Sequence, residues 1–174
     1  NAYKVINVSG QDKYITDTYD SEYCYYGISR FFDKARRNAG LVYAEYIKEE
    51  LYNRLREEKG LTYRINTANM NLSGGLIAFW IFKIRRHDIG LVQDIIKKTF
   101  SRKLKYSDME KHGRRLRTKN LIHSDNATSE MLSLGYRNTI LYGEDPDAFD
   151  YEDFMKYLEA GEDDHYQRII SVGS

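Results

Sequence analysis

The stretch that decides the fold runs from residue 41 to residue 63 and reads LVYAEYIKEELYNRLREEKGLTY. Apolar side chains recur in it at spacings of three and four, at Leu41, Ala44, Ile47, Leu51 and Leu55. That period places them on one stripe of an amphipathic helix, and we predict a helix from Lys34 to about Glu58. Asp33 is the candidate N-cap. Lys59-Gly60 ends the helix, because glycine tolerates the left-handed conformation of a helix C-terminus.

Strands are predicted on both sides of this helix. Glu22–Phe32 is rich in aromatic residues and reads as a buried strand. Leu61–Asn71 and Leu76–Arg86 read as a hairpin joined around Ser73-Gly74-Gly75. The second hairpin strand is almost continuously apolar, so we predict a central strand covered on both faces. Shorter strands are predicted earlier in the chain, around Tyr3–Val8 and Lys13–Thr18.

The second half of the chain reads mainly as helices. We predict helices at Asp88–Lys103, Ser107–His123, Thr128–Tyr142 and Glu162–Ile170, with an acidic loop at Gly143–Asp153. Ser107 and Glu110 have the spacing of a capping box. No repeat or linker interrupts the chain, so residues 1–174 are predicted to form a single domain. The order of elements predicts an α+β two-layer sandwich, with helices on one face of a mostly antiparallel sheet.

Composition excludes several classes of protein. The 174 residues carry a formal charge of +1, which gives no global attraction to nucleic acid or acidic membranes. Cys24 is the single cysteine, so no internal disulfide forms, and its apolar strand predicts an inert, buried thiol. No apolar run of about 18 residues predicts a membrane span. No signal peptide is evident. Asn1-Ala2 is compatible with an expression-tag remnant, so the missing signal does not decide the compartment. The cytoplasm and a bacterial envelope both remain open, because both tolerate one buried thiol.

Neither a metal site nor a catalytic nucleophile is predicted in this chain. His87, His112, His123 and His165 stand alone, without the His-x-x-Glu-His or His-Glu-x-x-His spacing of zinc peptidases. No Gly-x-Ser-x-Gly elbow and no phosphate-binding loop occurs. We therefore expect no cofactor held by these residues.

Charge is distributed unevenly along the chain. Lys97–Lys119 carries ten Lys/Arg against two acidic residues, and Glu144–Asp164 carries ten acidic residues against Lys156. The basic block is either the solvated face of two helices or a surface for an anionic partner. We favour the solvated face, because no nucleic-acid motif accompanies the block, and we predict no nucleic-acid partner.

Arg56 and Tyr63 form the candidate site. Arg56 falls in the last turn of the long helix, and Tyr63 follows the glycine turn, so their side chains can converge at a helix–strand corner. Arginine offers a rigid fork of donors and tyrosine one phenolic O–H. Together they could hold a peptide carbonyl or stabilise an oxyanion. The alternative is structural: an arginine at a helix end favours the helix dipole, and tyrosines in strands usually pack.

The string Leu55-Arg56-Glu57-Glu58-Lys59-Gly60-Leu61-Thr62-Tyr63 resembles the Leu-Arg-x-x-x-Gly-Leu-x-Tyr stretch of pitrilysin/insulinase-type zinc metallopeptidases, including mitochondrial processing peptidase. In pattern the resemblance extends from about Tyr14 to Tyr157. It implies the C-terminal, non-zinc α/β half of such an enzyme. In that half, Arg56 and Tyr63 occupy the places of an arginine and a tyrosine that contact the substrate backbone.

The resemblance also implies a division of labour between two halves. Zinc and the glutamate base are expected in a homologous partner domain or subunit, which activates water to attack a peptide carbonyl. This chain would supply Tyr63 as a donor to the carbonyl or oxyanion and Arg56 to position the peptide substrate, and it would be inactive alone. The alternative is a catalytically inactive scaffold or binding member of the same fold, as in respiratory-complex core subunits. An unrelated α+β domain that binds an anionic partner through Lys97–Lys119 is the third possibility.

Overall fold

A computed structural model describes residues 14–16, 22–124, 150–160 and 165–171. Its strands are β1 (Tyr14–Thr16), β2 (Tyr23–Asp33), β3 (Ile65–Leu72), β4 (Gly75–Arg85) and β5 (His165–Ser171). Its α-helices are α1 (Arg37–Leu51), α2 (Ile89–Phe100), α3 (Tyr106–Ser124) and α4 (Tyr151–Ala160). The predicted strand at Tyr3–Val8 and helix at Thr128–Tyr142 lie outside the described residues.

The five strands form one sheet in the order β1-β5-β2-β4-β3. β2 pairs antiparallel with both β4 and β5, and β3 pairs antiparallel with β4. Only the β1–β5 pair among these strands is parallel. This confirms the α+β class and the mostly antiparallel sheet.

The core lies between the sheet and α1. Alternate residues of β2 and β4 are buried, and they include Tyr26, Phe32, Trp80 and Phe82. The Trp80 indole donates a hydrogen bond to the carbonyl of Ala44 on α1, with 3.0 Å between nitrogen and oxygen. That bond satisfies a polar group that burial would otherwise leave unpaired.

The opposite face of the sheet is more open, which corrects the prediction that β4 is covered on both faces. Ile81 on β4 is 40% exposed, and Phe31 and Tyr25 on β2 are each 44% exposed. An antiparallel sheet needs only one packed face. The apolar run of β4 has the composition of a strand covered on both faces, but the described residues pack only one face of β4.

The long helix is present but is not uniform. Lys34–Arg36 forms a 3₁₀ turn, and the Asp33 carboxylate accepts a hydrogen bond from the backbone N–H of Arg36 at 3.1 Å, so Asp33 caps this helix as predicted. Beyond α1 the backbone continues as a π-helical segment, Tyr52–Glu57. The predicted helix Lys34–Glu58 thus covers three consecutive segments of different helical pitch.

The hairpin turn brings the backbone of Gly75 close to the backbone of β2. A Cβ atom placed on Gly75 would lie 2.1 Å from the carbonyl oxygen of Phe32, and Gly75 has a φ of 157°. No atom of the described residues lies within 4 Å of the equivalent position on Gly74. Gly75 is therefore the glycine that this turn requires.

Three predictions for the second half of the chain were wrong. Ser107 is not a cap, because α3 begins at Tyr106 and the N–H groups of Asp108 and Met109 both donate to the Lys105 carbonyl. The acidic loop does not extend to Asp153, since α4 begins at Tyr151. Most importantly, His165–Ser171 is a strand and not a helix. Its pairing with β2 supplies tertiary contacts that a local reading of the sequence could not include.

Candidate functional site

The end of the long helix builds a rigid corner. Leu55 is fully buried and anchors the π-helical segment to the core. The N–H of Leu61 donates to the Leu55 carbonyl at 2.7 Å, and the N–H of Gly60 donates to the Arg56 carbonyl at 2.9 Å. Gly60 has a φ of 64°, the left-handed conformation predicted for it. These bonds turn the chain sharply from the helix towards β3.

Arg56 lies at this corner between two aromatic rings. Its guanidinium carbon is 4.8 Å from the centroid of the Tyr63 ring and 4.9 Å from that of Tyr52. The guanidinium also donates a hydrogen bond to the Tyr52 hydroxyl. Both ring distances are within the range of a cation–π interaction. The structure therefore brings the two predicted site residues, Arg56 and Tyr63, into direct contact.

Tyr52 is the residue of this arrangement that the sequence analysis missed. It lies four residues before Arg56, so the two share one helix face. That spacing was a readable signal, since an aromatic residue one turn before an arginine can stack on it. Tyr52 restricts the guanidinium to the orientation in which it also faces Tyr63.

Tyr63 projects from an irregular segment and not from the strand. β3 begins at Ile65, so the predicted strand start at Leu61 was four residues early. Thr62 is buried, and its hydroxyl donates to the Arg64 carbonyl at 3.3 Å, which favours a bend over an extended ladder. As a result Tyr63 is 81% exposed.

A groove of about 830 Å³ runs beside Tyr63. We call it the Tyr63 groove, and its lining includes Tyr23, Lys59, Tyr63, Arg64, Lys83 and Arg85. Arg56 does not line it and instead supports the Tyr63 ring from behind. The site thus consists of an exposed phenol, held by a stacked guanidinium, at the wall of an open groove.

No metal centre forms among the described side chains: no group of three His, Cys, Asp or Glu residues is placed to hold an ion. His87 is exposed, and its imidazole Nε2 is 3.4 Å from Asp88. His112 is buried against the Tyr46 ring, and this burial lowers the pKa of its imidazole. The side chains of His123 and His165 are outside the described set. The residues that are described do not fit a zinc site.

Cys24 is fully buried in β2, as predicted. Its burial raises the pKa of the thiol, and the nearby charge of Arg86 opposes this only in part. A buried thiol with a raised pKa is a poor nucleophile. Cys24 therefore belongs to the core and takes no part in the site.

The basic block faces acidic side chains of α1. Glu49 accepts hydrogen bonds from Lys111, at 2.8 Å, and from Arg115, and Glu50 accepts one from Arg102 at 2.6 Å. The bond from Lys111 is the main cause that lowers the pKa of Glu49. Lys111, Arg115 and Arg102 of the basic block are thus paired with carboxylates of the same domain. This pairing favours the solvated-face interpretation over an anionic partner.

None of the helices in the described ranges combines the length and the apolar character that a bilayer crossing requires. No protein-family model matches the sequence. No curated protein matches it either.

Solved structures, in contrast, share the fold. The inactive peptidase domain of a proposed zinc protease from Bordetella parapertussis superposes with a TM-score of 0.65 at 10% identity, covering 86% of this chain and 92% of that one. The inactive domain of peptidase M16 from Pseudomonas fluorescens gives 0.58 at 14% identity, with 92% and 44% covered. Complex III₂ from Candida albicans gives 0.64 at 10% identity, with 90% and 44% covered.

The periplasmic protease PqqL from Escherichia coli is much longer than this chain, so the matching region is a small part of it. It gives a TM-score of 0.58 at 11% identity, with 92% of this chain and 20% of that chain covered. The chain therefore spans between a fifth and less than half of the length of the PqqL, Pseudomonas and Candida proteins. At these identities the similarity establishes the fold, which is that of M16 (pitrilysin-type) peptidase domains.

Proposed function

We propose that this chain is the substrate-binding, chamber-forming domain of a zinc metalloendopeptidase, with zinc supplied by a homologous domain or subunit. The observation that carries the proposal is the contact between Arg56 and Tyr63, whose ring and guanidinium are 4.8 Å apart at the wall of the Tyr63 groove. The fold match to two inactive peptidase domains supports it.

Tyr63 is proposed to donate its phenolic O–H to the carbonyl of the bound peptide, or to the oxyanion that develops from it. A donor in this role must be oriented before the substrate arrives. The stacked guanidinium restrains the Tyr63 ring without using its hydroxyl. Arg56 has further N–H donors beyond the one bonded to Tyr52. Because Arg56 does not line the groove, we propose that these donors position the peptide backbone where the peptide leaves the groove and passes over the corner.

Hydrolysis itself needs groups that the described residues do not provide. A zinc ion in the partner half would activate water for attack on the carbonyl. Closure of the two halves around the peptide would exclude bulk water from the site. The chain alone is accordingly proposed to be inactive.

The second candidate is a non-catalytic scaffold or binding member of the same fold. It is favoured by the match to complex III₂, which covers 90% of this chain. The two candidates differ in the role of the Tyr63 hydroxyl. The enzymatic proposal needs this hydroxyl for hydrolysis, whereas a non-catalytic scaffold does not.

Reconstitution distinguishes these candidates. The purified chain is first assayed for bound zinc and for cleavage of a quenched fluorescent peptide, and we expect neither. It is then combined with the zinc-bearing half from its own polypeptide or from its partner subunit, which should restore cleavage. Tyr63→Phe should then reduce kcat by about 10²- to 10³-fold, the usual effect of losing one oxyanion donor.

Tyr106→Phe is the matched control, because Tyr106 is also an exposed tyrosine, at 60%, and does not line the groove. It should retain the activity of the wild type. Equal rates for wild type and Tyr63→Phe would contradict the enzymatic proposal and leave the scaffold. Tight zinc or chelator-sensitive cleavage by the chain alone would overturn both the role and the predicted absence of a metal site.

A further inference from the structure

Positive charge is concentrated in the Tyr63 groove although the whole chain is nearly neutral. Lys59, Arg64, Lys83 and Arg85 all line the groove, and all four are exposed. Asp88 is the only acidic residue among the described residues that line it, and that carboxylate lies beside His87. The groove therefore has the electrostatics of a site for an anionic ligand.

Most of these cations are not neutralised by the described part of the chain. No carboxylate of the described residues lies within 4.0 Å of the side-chain nitrogens of Lys59, Arg64 or Lys83. Arg85 donates a hydrogen bond to the Tyr23 side chain. Its ion pair with Glu22 is long, at 3.9 Å, and both of those side chains are more than half exposed. In contrast, Lys111 and Arg115 in the α3 part of the basic block form ion pairs with Glu49.

Within the ranges that the structure describes, the last backbone groups of β4 have no strand partner on the groove side. β3 begins at Ile65, opposite Phe82, so no β3 residue is registered opposite β4 residues 83–85. The N–H of Arg86 donates to the Glu22 carbonyl at 2.9 Å, on the β2 side. Because successive residues of a strand alternate in direction, the N–H and C=O of Arg85 face the other way, into the groove.

The spacing of Lys83 and Arg85 along β4 sets the spacing of the negative charges that a ligand needs. Lys83 and Arg85 are two residues apart on one strand, so their side chains lie on the same face, about 7 Å apart. A second extended chain laid beside β4 presents every other side chain to that face with the same period. Carboxylates at alternate positions of such a chain would meet these two cations.

We propose that the Tyr63 groove selects an extended peptide segment with carboxylates at alternate positions, which pairs with the backbone of Arg85 and the side chains of Lys83 and Arg85. The segment adds to the uncovered end of β4 as a short extra strand, a known mode of peptide recognition. This inference rests on the proposed function, because it takes the ligand to be a peptide, and it defines which peptides are preferred.

Binding to the chain alone tests this without the zinc-bearing half. Three peptides of about seven residues, each with the same uncharged dye, are titrated by fluorescence anisotropy. One alternates Thr and Glu, the second replaces each Glu by Gln, and the third has the composition of the first with its Glu residues adjacent. At low ionic strength we expect the alternating acidic peptide to bind about fivefold to tenfold more tightly than the other two. That preference should fall steeply as salt is added.

A charge-matched pair of variants locates the preference. The double variant Lys83→Gln, Arg85→Gln should bind all three peptides equally. Lys97→Gln, Lys98→Gln removes the same charge from exposed positions of α2 and should keep the wild-type preference. Circular dichroism melts show that each variant is folded before it is titrated.

Equal binding of the acidic and glutamine peptides, no binding of any peptide, or a preference that survives in the β4 variant would each overturn the inference. Equal binding of the alternating and adjacent acidic peptides would overturn the strand-addition geometry. Failure of this inference and failure of the proposed function give different results. If Tyr63→Phe abolishes reconstituted cleavage without any acidic preference, only this inference is wrong. If the preference is present and Tyr63→Phe cleaves normally, only the enzymatic role is wrong.

Discussion

The stacking of Arg56 on Tyr63 predicts a measurable coupling energy in the isolated chain. The guanidinium carbon is 4.8 Å from the ring centroid, but the ring is 81% exposed, so the interaction is at the weak end of the cation–π range. We expect a double-mutant cycle of Arg56→Met and Tyr63→Leu to give a coupling of about 0.5–1 kcal/mol. Urea unfolding of wild type, both single variants and the double variant measures it.

Two further cycles calibrate the result. Arg56→Met combined with Tyr52→Leu should give a larger coupling, of about 1–2 kcal/mol, because Tyr52 adds a hydrogen bond to a stacked ring at 4.9 Å. Lys59→Met combined with Tyr63→Leu should give about zero, since Lys59 is an exposed cation of the same corner without a contact to that ring. A coupling below about 0.2 kcal/mol for Arg56 and Tyr63 would refute the argument that the site is organised before substrate binds.

Three other perturbations have defined outcomes. Burial lowers the pKa of His112 below its ordinary 6.5, so the unfolded chain binds the proton at a higher pH than the folded chain does. The free energy of unfolding, measured by urea titration, should therefore fall as the pH drops below about 6.5. His112→Gln should reduce the dependence of the unfolding free energy on pH. Gly75→Ala forces a Cβ to within 2.1 Å of the Phe32 carbonyl and should cost about 2–3 kcal/mol of unfolding free energy, whereas Gly74→Ala should stay within about 0.5 kcal/mol; equal effects would contradict the assigned turn. Burial raises the pKa of the Cys24 thiol, so iodoacetamide should label it far more slowly in native buffer than in urea, as mass spectrometry can follow.

Local signals were sufficient for the helix–corner–strand unit. The apolar stripe of the long helix, the Asp33 cap and the left-handed Gly60 depend on contacts within a few residues, and all are present in the structure. The convergence of Arg56 and Tyr63 followed from the same local geometry. Their roles in substrate binding remain a proposal that the experiments above address.

Features that depend on distant parts of the chain were not predictable in this way. The residues 165–171 contain Tyr166, Ile169 and Ile170, which suit a strand, yet the segment is short enough to fit a helical turn as well. Only its pairing with β2 decides between them. Exposure of the second face of β4 is likewise a property of the whole sheet, and the apolar run carries no local sign of it. The charged character of the Tyr63 groove arises from residues 59, 64, 83 and 85, which two separate segments bring together.

The position of β5 between β1 and β2 has a consequence for how the protein is made. β2 acquires this neighbour from residues that lie roughly 140 positions later in the chain. During synthesis on the ribosome, the edge of β2 that pairs with β5 therefore stays unpaired until almost the whole described chain has been made. β2 is rich in aromatic side chains. Nascent chains that stall before residue 165 would expose that edge to one another, so they are the species that molecular chaperones would have to protect from aggregation.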